Sequence, residues 1–170
     1  MKPIYIKKLL ISEINKVASE PHNYCTNPDT DFTRNRKLSM EKMLQGIIGM
    51  ESKSLTNELL DLFDASAETP SASAFIQQRD KIRPIAFESI FKNFSKKLMN
   101  SFDNDIPVFA IDGSDIQIPT NPTDTESYIA GTNGHKGYNL LHINALYDLN
   151  KHIYSCLLYT SPSPRDRSLS

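Results

Sequence analysis

The stretch Phe109-Ala110-Ile111-Asp112-Gly113-Ser114-Asp115 decides the fold, because the hydrophobic period of the chain changes there from about 3.6 residues to about 2. This alternation predicts a β-strand in which the acidic residue Asp112 stands among apolar neighbours. Burial of a carboxylate in such a place is costly unless a cation or hydrogen bonds compensate for the lost water. From these residues alone, metal binding and a simple turn-capping role for Asp112 both remain open.

The residues that follow this strand predict an antiparallel meander. Residues 119–137 are rich in Pro, Asn, Asp and Gly, a composition that favours turns. A second alternating stretch covers residues 138–147, residues 148–151 suit a short hairpin turn, and a third strand begins at residue 152.

The first hundred residues predict helices instead, with apolar stripes over residues 3–19, 40–48, 55–63, 74–82 and 84–98. Pro21 should stop the first helix. Ser39, Ser54 and either Ser71 or Ser73 stand where N-caps belong, and Pro84 suits the first turn of the last helix. The sequence thus predicts an α+β protein with a helical domain over residues 1–102 and a second domain that begins at residue 103.

The composition allows a folded core, because 39 % of the 170 residues are apolar. The net charge of −1 hides a segregation along the chain. Residues 1–100 carry 15 basic and 12 acidic side chains, whereas residues 101–155 carry 2 and 7. Basic regions suit nucleic acids and acidic clusters suit metal ions, but an imbalance of this size is only a hint.

Several function classes are excluded by what the sequence lacks. No apolar run reaches the ~18 residues of a membrane span, and lysines interrupt the N-terminus before a secretion signal could develop. Cys25 and Cys156 match no zinc-ligand spacing, which suits a cytoplasmic protein without disulfides. The sequence also has no glycine-rich phosphate loop, no nucleophile elbow and no zinc-protease motif.

Four stretches together resemble bacterial insertion-sequence transposases of the IS-four type, which belong to the DDE superfamily. They are FTRNRKLS (residues 32–39), SAFIQQRDKI (73–82), AIDGSD (110–115) with IPTNP (118–122), and KGYN (136–139) with HINALYD (142–148). The likeness covers about residues 30–155. The collection is specific, although no single stretch is specific by itself.

The resemblance implies that residues 103–155 begin a ribonuclease-H-like catalytic domain, cut short, whose first strand carries the first acid of a catalytic triad. That position matches Asp112, which would be both a catalytic residue and a ligand of Mg²⁺, the expected cofactor of the complete protein. The second Asp and the Glu of the family lie beyond the third strand. We therefore expect this chain to be catalytically inactive and its complete parent to cut and join transposon ends.

The resemblance also implies partners and a location. The expected partner is DNA, both the terminal inverted repeats of the transposon and the target DNA, with assembly as a homodimer on that DNA. No membrane partner is expected, and the location would be the bacterial cytoplasm, at the nucleoid when the protein is bound to DNA.

The helical region is the part that would bind the inverted repeats. Residues 55–63 and 74–82 could form a helix-turn-helix-like pair. The candidate DNA contacts are Arg34, Arg36 and Lys37 for phosphates, and Gln77, Gln78 and Arg79 for base edges or phosphates. A solvated loop and a solvated helix surface explain the same residues without DNA, and these interpretations stay open.

The last fifteen residues, CLLYTSPSPRDRSLS (156–170), differ abruptly from the rest of the chain. Their composition is typical of a disordered Ser/Pro/Arg tail. Residues 156–166 also resemble one reading frame of the adapter used in transposase-based sequencing libraries. We therefore expect them to be non-native, with the biological sequence ending near Ser155.

Three function classes compete at this point. The favoured one is a DDE transposase. The second is a DNA-binding module without catalysis, and the third is another ribonuclease-H-like nuclease that shares only the aspartate on the first strand.

Overall fold

A computed structural model describes residues 3–34, 37–101, 106–132 and 134–160. The described chain is a mixed α+β protein, as the sequence predicts, with helices first and an antiparallel sheet after them. It divides into two compact units, one that extends to Phe94 and one that begins at Ser95. This division lies within the last helix, earlier in the chain than residue 103.

Six helices lie in the described part of the first hundred residues: α1 (Pro3–Ser19), α2 (Pro21–Tyr24), α3 (Met40–Gly49), α4 (Leu55–Leu62), α5 (Ala72–Arg79) and α6 (Ile85–Asn100). Ser39, Ser54 and Ser71 cap α3, α4 and α5, because each hydroxyl accepts the backbone N–H three residues later. Pro21 ends α1 as predicted, but it also opens α2, where its missing N–H leaves no hydrogen bond unmade.

The core of the helical unit joins residues that are distant in sequence. It consists of Ile14, Val17, Cys25, Leu38, Met40, Met43, Leu44, Leu59, Phe75, Ile82, Ala86 and Ile90. Phe75 of α5 is the largest of the fully buried side chains. The loop after α2 and the residues after α5 meet in a short bridge in which Cys25 pairs with Ile82. This bridge explains why α5 ends at Arg79, earlier than the predicted 82.

The thiol of Cys25 provides a test of this bridge. Burial raises the pKa of Cys25 above its ordinary value of 9.0, the nearby Asp31 acts in the same direction, and Lys81 opposes them. Because the folded state holds the thiol proton more tightly, this contribution to stability is complete below about pH 9 and is lost as the pH rises through the folded pKa. As the pH rises through the folded pKa, the free energy of unfolding should fall more steeply in the wild type than in Cys25→Ala. We expect the two slopes to differ by at most about 1.4 kcal/mol per pH unit.

Urea titrations of both proteins between pH 8 and pH 10.5 measure this difference. All other ionisable groups are common to the two proteins, so the difference in slope isolates Cys25. Equal slopes would contradict the buried position of the thiol.

The second unit is built on a four-stranded antiparallel sheet: β1 (Phe109–Ile118), β2 (Tyr128–Ile129), β3 (Tyr138–Asp148) and β4 (Ile153–Thr160). β3 is central and pairs with β1 along one edge. Along its other edge, β3 pairs with β2 near its start and with β4 over the rest of its length. The predicted meander is therefore present, with the short β2 added from the turn-rich segment.

A buried amide fixes the turn-rich segment to the start of β3. The side chain of Asn139 is fully buried. It accepts the N–H of Asn121 at 2.7 Å and donates to the carbonyl oxygen of Asn121 at 3.1 Å and to the hydroxyl of Ser127 at 2.8 Å. The hydroxyl of Ser127 donates in turn to Asp124. All hydrogen-bonding groups of the amide side chain are thus engaged, as burial requires.

Residues 156–160 form the second half of β4, although the sequence assigned them to the tail. In the register with β3, Cys156 lies opposite Leu146 and Thr160 lies opposite His142. Residues 161–170 lie outside the described part of the chain.

Candidate functional site

β1 presents Asp112 on an open sheet surface. In the register with β3, Asp112 lies opposite Ala145 and Ser114 lies opposite Ile143. Opposed residues on paired strands project to the same side, so these four side chains share one face. Asp112 itself is exposed. The expectation of a carboxylate buried among apolar neighbours is therefore wrong, because β1 is an edge strand and most of its residues are exposed on both faces.

The described residues do not complete a metal site around this carboxylate. Across residues 3–34, 37–101, 106–132 and 134–160, no three Asp, Glu, His or Cys side chains come together in a way that could hold an ion. Asp112 could supply one hard oxygen ligand, whereas Mg²⁺ needs several and a two-metal centre needs more carboxylates still. The residues present therefore do not fit a complete magnesium centre.

The opposite face of the same strand pair carries an acid–histidine pair that the sequence did not reveal. Asp115 lies opposite His142 in the register, and its Oδ1 is 2.7 Å from Nδ1 of that histidine. The imidazole lies over Gly113, where a Cβ atom would come within 3.0 Å of the ring. Gly113 thus makes room for the histidine. Asp115 is engaged in holding β1 to β3, on the other side of the sheet from Asp112.

The helical unit brings together candidate DNA contacts from two distant stretches. Arg34 and Gln78 line one depression of about 350 Å³. Lys37, Gln77 and Gln78 line another of about 600 Å³. Leu38 and Gln78 line both depressions, so Leu38 and the helix α5 contribute to their shared wall. This proximity could not be read from the sequence, in which some forty residues separate the two stretches.

The structure places one of the predicted contacts, Arg79, elsewhere. The guanidinium of Arg79 bonds to Asp80 through two nitrogens, at 3.3 and 3.1 Å, and Arg79 lines neither depression. Arg36 lies outside the described residues.

The helix-turn-helix hypothesis does not match the connection between α4 and α5. Residues 63–71 join the two helices. This is longer than the roughly three- or four-residue turn of that motif. Asp64 and Ala65 adopt left-handed backbone conformations within this connection. The composition of residues 66–71 signalled a break, but it did not exclude the motif.

Comparisons with known proteins assign this chain to no family. No family model, no curated protein and no solved structure matches it.

Among the described residues, no helix is both long enough and apolar enough to cross a bilayer.

Proposed function

We propose that this chain is part of an insertion-sequence transposase that binds the ends of its transposon and carries the first acid of a metal-dependent DNA cleavage and strand-transfer site. The observation that carries the proposal is the position of Asp112. It lies on the first strand of an antiparallel meander, which is where the resemblance to DDE transposases requires the first acid, and its side chain is exposed. A ribonuclease-H-like domain, with Asp112 on its first strand, is part of the proposal.

Mg²⁺ is the proposed cofactor of the complete protein. When bound, such a metal centre activates the attacking oxygen and stabilises the leaving oxygen at phosphorus. In this chain, the pairing of β1 with β3 positions Asp112, and the Asp115–His142 pair adds a side-chain hydrogen bond between the two strands. Because the described residues do not complete the centre, we propose that the chain alone is inactive and that further ligands lie beyond residue 155 in the parent protein.

A DNA-binding module without catalysis is the second candidate. It is favoured by the two depressions that bring Arg34, Lys37, Gln77 and Gln78 together in the helical unit. Both candidates share DNA as the partner, and they differ in the role of Asp112.

An uninterrupted copy of the gene tests the proposal. We expect the DNA after codon 155 to encode an Asp and a Glu in a later strand and helix, and we expect inverted repeats to flank the gene. We also expect the encoded protein to mobilise a marker placed between those repeats. An intact reading frame without the two acids would support the DNA-binding module, and a gene without flanking repeats would support a different nuclease.

A further inference from the structure

We propose that the helical unit binds the sugar–phosphate backbone of DNA in one continuous groove, here named the α5 groove, and that Lys81 and Thr69 belong to this site. The groove consists of two adjoining depressions that share Leu38 and Gln78. Its further lining includes Thr30, Thr33, Arg34 and Lys81 at one end, and Lys37, Thr69 and Gln77 at the other. This inference rests on the proposed function and assigns a place to its DNA contacts.

The groove offers cations at both ends. The part of the chain that the structure describes provides no hydrogen bond or ion pair to the Arg34 guanidinium, and this residue is exposed. Lys37 lies 3.0 Å from Glu68, but both side chains are more than half exposed. Such an exposed pair contributes little to stability, so a phosphate can take the place of the carboxylate at little cost.

Lys81 is held in the groove by its neighbours. Its Nζ lies 3.3 Å from the amide oxygen of Gln78, and it lies 4.0 Å from Oδ1 of Asp31. Asp31 is buried, and its other carboxylate oxygen accepts the N–H of Asn27. The ammonium is therefore oriented beside Gln78, although Asp31 offsets part of its charge. Asp29 also lines this end, so we expect the net attraction for phosphate to come chiefly from Arg34 and Lys37.

Thr69 supplies a second kind of observation. Its hydroxyl oxygen is buried and has no hydrogen-bond partner within the described residues. A buried polar atom without a partner destabilises the folded state, and such atoms in folded proteins call for an explanation. Thr69 lines the groove beside Lys37 and Gln77. Its enclosed hydroxyl would meet a phosphate oxygen in the groove after a rotation of the side chain about χ1.

A nucleic-acid strand fits this combination better than a small anion does. The two depressions together are much larger than one phosphate group, and their cations are spread along the groove. Arginine and lysine neutralise phosphates, threonine hydroxyls donate to phosphate oxygens, and glutamine amides read base edges. All three chemistries lie along the groove.

The test measures binding of the full chain to a fluorescein-labelled 30-base-pair DNA duplex by fluorescence anisotropy at several salt concentrations. The groove variant is Arg34→Gln/Lys37→Gln. We expect its affinity to fall about tenfold or more, and the slope of log affinity against log salt to decrease by about 2. Thr69→Val should also weaken binding, without lowering the free energy of unfolding.

The control variant is Lys7→Gln, which removes a charge from the exposed surface of α1 outside the groove. It should change the affinity less than twofold. If the groove variant bound DNA as well as the wild type, the groove would be wrong while DNA binding by the chain would stand. Failure of the wild type to bind the duplex would overturn both the groove and the DNA-binding part of the proposed function.

Labelled ATP and inorganic phosphate serve as further probes. We expect neither to compete with the duplex at micromolar concentration. ATP that bound the wild type as tightly as DNA does, but did not bind Arg34→Gln/Lys37→Gln, would identify the ligand as a mononucleotide. That result would overturn the proposal for DNA.

Discussion

Replacement of Phe75 by alanine is expected to lower the free energy of unfolding of the helical unit by about 3–5 kcal/mol. Phe75 is 1 % exposed, and it packs close to Gly46, so that it joins α5 to α3. Truncation of the ring removes buried apolar surface and leaves a cavity among well-packed neighbours. A typical domain has a total stability of about 5–15 kcal/mol, so this loss is a large share of it.

Urea unfolding followed by helical circular dichroism measures this effect. The matched control is Ile76→Ala, the next residue on the same helix, which is 37 % exposed and should cost no more than about 1 kcal/mol. Phe75→Leu should cost less than the alanine variant and should preserve DNA binding in the α5 groove, because α5 would stay in place. Equal losses for Phe75→Ala and Ile76→Ala would contradict the packing of α5.

Local sequence signals predicted the elements of this fold well. Ser39 and Ser54 act through hydrogen bonds to N–H groups only three residues away, so their roles are visible in the sequence. For α5 the sequence left Ser71 and Ser73 open, and the structure selects Ser71. The change of hydrophobic period after Pro107 is likewise a local signal, and β1 begins at Phe109. The mixed α+β architecture followed from these two kinds of signal.

The features that the sequence could not supply depend on tertiary contacts. Alternation along β1 indicates a strand, but it does not say whether another layer covers the strand, and so the burial of Asp112 was predicted wrongly. The pairing of Asp115 with His142 requires the β1–β3 register, in which residues far apart in sequence become neighbours. The three hydrogen bonds of the Asn139 amide side chain similarly join the turn-rich segment to a strand.

The α5 groove was only half visible in the sequence. Arg34, Lys37, Gln77 and Gln78 were identified as candidates by their chemistry, but nothing local indicated that they share a groove. Lys81 was missed, although it follows Gln78 by three residues, a spacing at which side chains on a helical turn can meet. Thr69 was missed because an unpartnered hydroxyl becomes evident only when its surroundings are known.

Asp112→Asn is the second substitution with a large expected effect, in the complete protein encoded by an uninterrupted copy. The amide keeps the shape of the side chain but removes the negative charge that a hard divalent cation requires. Loss of a metal ligand removes several kcal/mol of transition-state stabilisation, which corresponds to about a thousandfold or more in rate. DNA binding should stay within about threefold of the wild type, because the α5 groove and Asp112 belong to different units.

Two control variants separate catalysis from strand packing. Ser114→Ala changes a polar neighbour on the same face of β1 and should leave the rate within about threefold, an effect of less than 1 kcal/mol. Asp115→Asn weakens the pair with His142 and should loosen β1, as faster amide exchange would show, whereas Asp112→Asn should leave that exchange unchanged.

The most direct measurement is therefore the rate of strand cleavage at a transposon end by the complete protein in Mg²⁺, with and without the Asp112 carboxylate. We expect Asp112→Asn to cut at least about a thousandfold more slowly while it still binds the same DNA and Ser114→Ala still cuts. Cleavage by Asp112→Asn at a rate within a few-fold of the wild type would contradict the assignment of Asp112 and, with it, the proposed transposase site.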